Sequence, residues 1–266
     1  VWVKADGSVL ASVGSPARSL GDPILSPDGT RAVVSRGAEH PDLWSIDVAR
    51  GAETRLAGSK DEDELFPSWS PAGDRVFYQR VKGQDSSLCW VDASGARTGA
   101  LAIDPDAVRA ALEPDGRHIV YIRDDGSGSG ELARVPVDAG LRPSGPPERL
   151  AESSLSQSQI AIAPRGGLVA YAASQGERIE TFLLELGGAG RWQVSNGGGV
   201  QPRWSRQGDR LFFVSGDEMM EVVVRRGESL SLGTPRRLFT LSERGLQPGP
   251  GFNIAPDGLF LMVSDA

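Results

Sequence analysis

One pattern recurs six times along the 266-residue chain and restricts its possible folds more than any other feature. An apolar residue, a spacer and a loose Pro-Asp-Gly sequence appear as Leu25-Ser26-Pro27-Asp28-Gly29, Trp69-Ser70-Pro71-Ala72-Gly73, Leu112-Glu113-Pro114-Asp115-Gly116, Ile162-Ala163-Pro164-Arg165-Gly166, Trp204-Ser205-Arg206-Gln207-Gly208 and Ile254-Ala255-Pro256-Asp257-Gly258. Each reads as a turn on chemical grounds: Pro presets φ, Asp accepts from nearby backbone, and Gly adopts positive φ at little cost. An apolar run follows every turn: Ala32-Val33-Val34, Val76-Phe77-Tyr78, Ile119-Val120-Tyr121, Val169-Ala170-Tyr171, Leu211-Phe212-Phe213 and Leu261-Met262-Val263. Runs this short and continuous fit strands covered on both faces.

Successive motif glycines are 42 to 50 residues apart, the length of one four-stranded propeller blade. A second hairpin follows in most units, as in Leu43 to Val48, the turn Ala49-Arg50-Gly51-Ala52, and Glu53 to Leu56. Leu88 to Asp92, Leu132 to Asp138, Thr181 to Leu186 and Met220 to Val224 are the comparable segments. Four strands per repeat and no segment that needs a helix predict an all-β fold, a six-bladed β-propeller with four-stranded antiparallel blades. Only two strands' worth of chain follows the last motif, while Val1 to Leu10 has the pattern of an outer hairpin with nothing before it. The expectation is a single domain over residues 1–266 in which residues 1–14 complete the blade formed by residues 251–265, removing sheet edges that invite aggregation.

Composition narrows the function classes. Gly and Pro, at 34 and 18 residues, make up about a fifth of the chain against about 12% on average, in keeping with many short strands and turns. A formal charge of -7, spread along the chain, argues against nucleic acid as a partner, because phosphate binding needs concentrated positive charge. One cysteine, Cys89, and two histidines, His40 and His118, are too few for an intramolecular disulfide or a Cys/His zinc site, so no metal or other cofactor is expected. No stretch approaches the 18 apolar residues of a membrane span and the residues from Val1 onward do not read as a charged and apolar leader, so no membrane contact by this segment is expected. The absence of an initial Met suggests a fragment whose targeting signals lie elsewhere.

The candidate site follows from architecture. Six inner strands converge on an axial tunnel, and the residues just before each inner strand ring its mouth. Aligning the repeats puts Asp22, Glu64, Arg109, Gln159, Gln201 and Arg203 there, with Asn253 slightly deeper. Their mixed polarity suits a small polar ligand, a peptide end, another protein or an ion. Other candidates have structural readings. Asp28, Asp115 and Asp257 sit at one offset in their own repeats, as turn-forming aspartates do. The run Asp61-Glu62-Asp63-Glu64 lacks the spacing of a calcium loop and reads as a solvated loop. Gly197-Gly198-Gly199 precedes no helix and reads as an interblade loop, not a phosphate cradle. Trp69 and Trp204 occupy equivalent positions and read as interblade core. Neither histidine sits in a Ser/His/Asp pattern, and no catalytic residue is expected.

The Ser-Pro-Asp-Gly hairpins resemble the WD-like repeats of TolB-type propellers over nearly the whole chain. Gly190 to Ser195, Gly198-Gly199, Pro202 to Ser205, Gly233-Thr234-Pro235 and Asn253 to Gly258 look like the C-terminal propeller attached to many bacterial serine/threonine protein kinases. That resemblance implies a cytoplasmic kinase domain and a membrane span upstream, with this propeller as an extracytoplasmic sensor. The kinase proper is absent from the sequence: it has no Gly-rich loop before a strand lysine, no His-Arg-Asp and no Asp-Phe-Gly. TolB-like propellers also gate prolyl-oligopeptidase-type peptidases, or serve as periplasmic scaffolds as TolB does; no Gly-x-Ser-x-Gly nucleophile elbow is present, so the chain is expected not to be an enzyme on either reading. Blades four and five carry weakened motifs, Ala163-Pro164-Arg165-Gly166 and Ser205-Arg206-Gln207-Gly208, whose turn geometry is the least defined.

Overall fold

The computed structural model describes residues 1–17, 19–124, 130–153, 160–227, 229–249 and 251–264. After β1 (Trp2–Val3) and β2 (Val9–Ala11), blade one is β3 (Ile24–Leu25), β4 (Arg31–Arg36), β5 (Asp42–Asp47) and β6 (Glu53–Ala57). Blade two is β7 (Asp63–Trp69), β8 (Arg75–Lys82), β9 (Asp85–Asp92) and β10 (Thr98–Ala100). Blade three is β11 (Ala107–Leu112), β12 (His118–Asp124), β13 (Gly130–Pro136) and β14 (Glu148–Ser153). Blade four is β15 (Ala161–Ile162), β16 (Leu168–Gln175), β17 (Arg178–Glu185) and β18 (Arg191–Gln193). Blade five is β19 (Val200–Trp204), β20 (Arg210–Ser215), β21 (Glu218–Arg226), β22 (Leu230–Leu232) and β23 (Arg236–Thr240). Blade six joins β24 (Phe252–Ile254) and β25 (Phe260–Met262) to the first two strands in the order β2-β1-β25-β24, with Trp2 opposite Leu261 and Val3 opposite Phe260. The chain forms two compact units, Ser12–Ala151 with blades one to three, and Val1–Ala11 with Glu152–Asp265 for the rest. No helix among the described residues is long and apolar enough to cross a membrane.

Two local details depart from the sequence expectation. The middle hairpins run longer than the segments beginning at Leu88 and Thr181: Lys82 pairs with Asp85 and Gln175 with Arg178 across two-residue turns led by Gly83 and Gly176, both at positive φ. Glycine-first turns of two residues match the twist of the strands they join and let the pairing continue to the tip. In blade five the outer position is shared. The second half of β21 pairs with β22 and its first half with β23, because Gly233-Thr234-Pro235 lies between them and Pro235 has no N–H for a ladder.

The six repeated turns have one backbone solution. Gly29, Gly73, Gly116, Gly166, Gly208 and Gly258 all take φ between 69° and 87°, a region only glycine enters freely. Asp28, Asp115 and Asp257 accept the N–H two residues on, from Thr30, Arg117 and Leu259 at 3.0, 2.9 and 3.1 Å. In two of the three repeats whose motif aspartate is replaced, those with Ala72 and Gln207, an aspartate just after the glycine takes over: Asp74 and Asp209 accept from the hydroxyls of Ser70 and Ser205 at 2.7 and 2.8 Å. Those hydroxyls, and that of Ser26, in turn accept the N–H of Arg75, Arg210 and Arg31 at 3.0 to 3.1 Å, closing the hairpin. The weakened motif of blade five therefore keeps the same turn. Gly116→Ala is expected to cost about 1 kcal/mol through backbone strain alone, since no atom lies within 4 Å of the added methyl; urea unfolding with an unchanged m-value checks it.

Within each unit, buried clusters join neighbouring blades. In Ser12–Ala151, Val33, Leu43 and Leu56 of blade one meet Trp69, Val76, Tyr78, Cys89 and Val91 of blade two, while Phe77 and Leu88 meet Ile119, Tyr121 and Val135 of blade three. In the other unit, Leu183 and Ala170 of blade four pack on Trp204, Leu211 and Phe213, and Phe212 and Met219 of blade five pack on Phe252, Phe260 and Val3. Trp69 and Trp204 tie neighbouring blades by bonds as well as area: their indole N–H groups donate to the carbonyls of Ile24 at 3.0 Å and Ala161 at 2.9 Å. A buried indole needs that partner, and here the previous blade's inner strand supplies it.

Candidate functional site

In the unit Ser12–Ala151, the residues three before Leu25, Trp69 and Leu112 are Asp22, Phe66 and Arg109. Strand β7 bulges between Leu65 and Ser68, where Pro67 cannot extend the ladder. The bulge holds Phe66 at φ 52° and leaves the residue 40% exposed. A left-handed conformation is uncommon for a bulky residue and costs on the order of 1–3 kcal/mol, a strain that clusters at binding sites. The Arg109 guanidinium lies 3.9 Å from the centroid of this ring. Burial pulls that guanidinium down to about 10, against the opposing charge of Asp22. Phe66 and Arg109 together form an aromatic platform carrying a partly desolvated cation.

Glu64 does not belong to that surface. Its side chain is 2% exposed and lies within β7 opposite Arg80, and its Oε2 has no hydrogen-bond partner among the described residues. Burial first, then the charges of Asp42 and Glu62, push its carboxyl up to about 7, with Arg80 and Arg55 opposing. The expected solvated loop at residues 61–64 is likewise corrected: Asp63 and Glu64 are strand residues, Asp63 meets His40 at 2.8 Å, and Asp61 meets Lys82 at 2.8 Å.

In the other unit, Gln201 occupies the position equivalent to Phe66, in a bulge before Pro202 and at φ 56°. Its side chain is buried, and its amide donates to the Gly249 carbonyl at 2.9 Å. Arg203 is 9% exposed and donates to the carbonyls of Phe252 and Pro202, both at 3.0 Å. It joins blade five to the inner strand of blade six, as Ser68 joins blade two to the Ala110 carbonyl at 2.6 Å. Arg203 is thus corrected from an open ligand position to an interblade tie. Asn253 is half-buried and its Oδ1 accepts from the Ile254 N–H. Gln159 lies outside the described residues.

A site that sequence reasoning missed explains the glycine run. The N–H groups of Gly197 and Gly198 do cradle an anion, and the anion is the protein's own Glu180: they donate to its Oε1 at 2.9 and 3.0 Å, while the Ser195 hydroxyl donates to its Oε2. Ser195 also accepts the Thr181 N–H at 2.8 Å. Nothing in the spacing of Glu180 and the glycines marks the pair; β17 and the loop after β18 bring them together. Among the described residues one group of three metal-capable side chains forms, Glu113, Asp115 and His118, with donor atoms within 4.8 Å of one another. Both Glu113 oxygens accept from Arg134, at 2.6 and 3.2 Å, and an Asp115 oxygen caps the turn, so this group is a hairpin network held by an arginine.

Small antiparallel blades, each carrying the same glycine turn and, within each unit, tied to neighbours through the inner strands, define a six-bladed β-propeller. Its fold is that of the TolB structures. It is similar to the putative TolB from Agrobacterium tumefaciens with a TM-score of 0.67 and 16% identity, covering 92% of this chain and 90% of that one. Against TolB from Acinetobacter baumannii the TM-score is 0.64 at 15% identity, covering 83% of this chain; the match spans 57% of the length of that protein. An oligogalacturonate lyase in complex with manganese matches with a TM-score of 0.56 at 14% identity, over 92% of this chain and 70% of that one. No protein-family model and no curated protein sequence matches. Identities this low establish fold, which one architecture lends to many functions.

Proposed function

We propose that this chain is a non-catalytic recognition propeller whose Phe66–Arg109 surface takes a polar ligand or peptide end, and that it serves as the extracytoplasmic sensor of a bacterial serine/threonine protein kinase. The observation that carries the recognition reading is the stacked pair itself. An exposed aromatic ring is held in a strained left-handed conformation with a guanidinium 3.9 Å from its centroid. The left-handed backbone recurs at buried Gln201 and belongs to the bulge, but folding does not require the exposed ring or its guanidinium, because Asp22 and Gln201 fill the same place in their own repeats with polar side chains. A cation on an aromatic face suits a carboxylate or an acidic side chain. The kinase reading is supported by the sequence pattern of the last third and carries the kinase domain as partner, with no cofactor and no nucleic acid.

The test uses an N-acetylated tripeptide with a free C-terminal carboxylate as probe. Titration followed by amide NMR is expected to shift the signals of Phe66 and Arg109, and Arg109→Gln or Phe66→Ser is expected to weaken binding at least tenfold with the fold intact by circular dichroism. Shifts confined to other blades, or equal affinity in both variants, overturn the reading. Coverage of 90% of the A. tumefaciens TolB favours a second reading, a free TolB-like envelope scaffold; a gating propeller of a prolyl-oligopeptidase-type peptidase is the third. Sequencing the same reading frame separates them: kinase motifs and a membrane span upstream, a cleavable leader upstream, or a nucleophile elbow downstream.

A further inference from the structure

Five of the six repeated turns carry Pro at the same place, and blade five alone carries a cation there, Arg206. The turn does not need the change: Gly208 keeps φ 70° and its N–H still donates to the Ser205 carbonyl at 3.0 Å. Arg206 instead lines a cleft of about 240 Å³ between blades five and six, within the unit Val1–Ala11 with Glu152–Asp265. The floor of the cleft is apolar, with Phe212, Leu238, Ile254 and Phe260 lining it; the Phe212 and Phe260 rings meet edge to face at 5.2 Å. Arg210 and Arg236 complete its rim. The Glu221 carboxylate, 4% exposed, accepts one N–H from each, through Oε1 from Arg210 and through Oε2 from Arg236 at 2.6 Å. A guanidinium has five N–H donors, so a single bond to Glu221 orients each fork and leaves donors for a ligand. The lining brings the guanidinium groups of Arg206, Arg210 and Arg236 to one cleft with the Glu221 carboxylate.

From this arrangement we infer a second binding site, for a small monocarboxylate with an apolar body: the carboxylate sits among Arg206, Arg210 and Arg236, and the body lies on Phe212, Ile254 and Phe260. Glu221 fixes two of the three forks before the ligand arrives, which lowers the ordering cost of binding. The volume lies below the roughly 300 to 1,000 Å³ of drug-sized sites, which selects a compact acid. An apolar floor disfavours a fully hydrated inorganic anion, which keeps its water better in bulk.

The experiment is isothermal titration at low salt with 3-phenylpropionate, its uncharged amide and inorganic phosphate. Expected are measurable binding of the acid, at least tenfold weaker binding of the amide and of phosphate, and at least fivefold weakening of the acid in Arg206→Gln, whose exposed turn position leaves the melting temperature close to wild type. NMR with the acid is expected to shift Ser205 to Gly208 and Arg236 to Leu238, a wild-type measurement that stands if the variant misfolds. Binding of the amide as tight as that of the acid, equal binding of phosphate, no effect of Arg206→Gln in a folded variant, or shifts elsewhere overturns the inference. Arg109→Gln is expected to leave this binding unchanged, so the site fails or stands apart from the Phe66–Arg109 surface.

Discussion

Glu64→Gln raises the melting temperature at pH 8 by roughly 5–10 °C and changes it little at pH 4.5, as expected from about 3 kcal/mol in a chain of this size. The Glu64 side chain is 2% exposed, and burial together with Asp42 and Glu62 raises its carboxyl from an ordinary 4.5 to about 7. The folded protein therefore holds a proton there that the unfolded chain releases. The contribution to stability is full below about 4.5 and is lost as pH rises through about 7, because a buried carboxylate without a hydrogen-bond partner at Oε2 must then carry charge. Glutamine keeps the shape and cannot ionise. Thermal melts of both proteins from pH 4.5 to 8.5 check this; parallel pH profiles would show that Glu64 does not titrate in the folded state as argued.

Glu180 has the opposite signature. Burial favours its neutral form, but the Ser195 hydroxyl, the amides of Gly197 and Gly198 and the charge of Arg178 outweigh it and hold the carboxyl below its ordinary value. That contribution is present above about 4.5 and is lost as pH falls through the folded-state value. Glu180→Ala strands two backbone N–H groups and a buried hydroxyl, each worth roughly 1–3 kcal/mol when unsatisfied, so a loss of about 3–4 kcal/mol at pH 7 is expected, read as a lower urea midpoint at unchanged slope. Glu180→Gln should lose less, because its amide oxygen still accepts from the glycine amides, and its deficit against wild type should shrink toward pH 3. A deficit for Glu180→Gln that stays constant with pH would assign the effect to packing instead. The two glutamates thus tilt the stability curve in opposite directions.

The repeats were legible because their chemistry is local: a positive-φ glycine, an aspartate bonding two residues on and an apolar run each act over a few residues. Strand ends at the Gly83 and Gly176 turns, and the sharing of β21 between two outer strands, were less so, since pairing partners set them. The candidate site was read least well. Phe66 was in view in Phe66-Pro67-Ser68-Trp69-Ser70, which parallels Gln201-Pro202-Arg203-Trp204-Ser205, but its exposure and its φ come from a bulge. Arg203 has the residue type of a ligand-binding cation, yet the neighbouring blade's carbonyl claims it.

By itself the sequence determined the number of blades, the six turns and the short apolar runs that make the chain all-β, because these depend on residues close together along the backbone. Only the tertiary structure decided which polar side chains are spent inside, as Glu64, Glu180 and Arg203 are, and which side chains are exposed, as Phe66 and Arg206 are. Burial and pairing depend on blades that sequence places some 45 residues apart, and the free energy of a charge is set by what surrounds it in space.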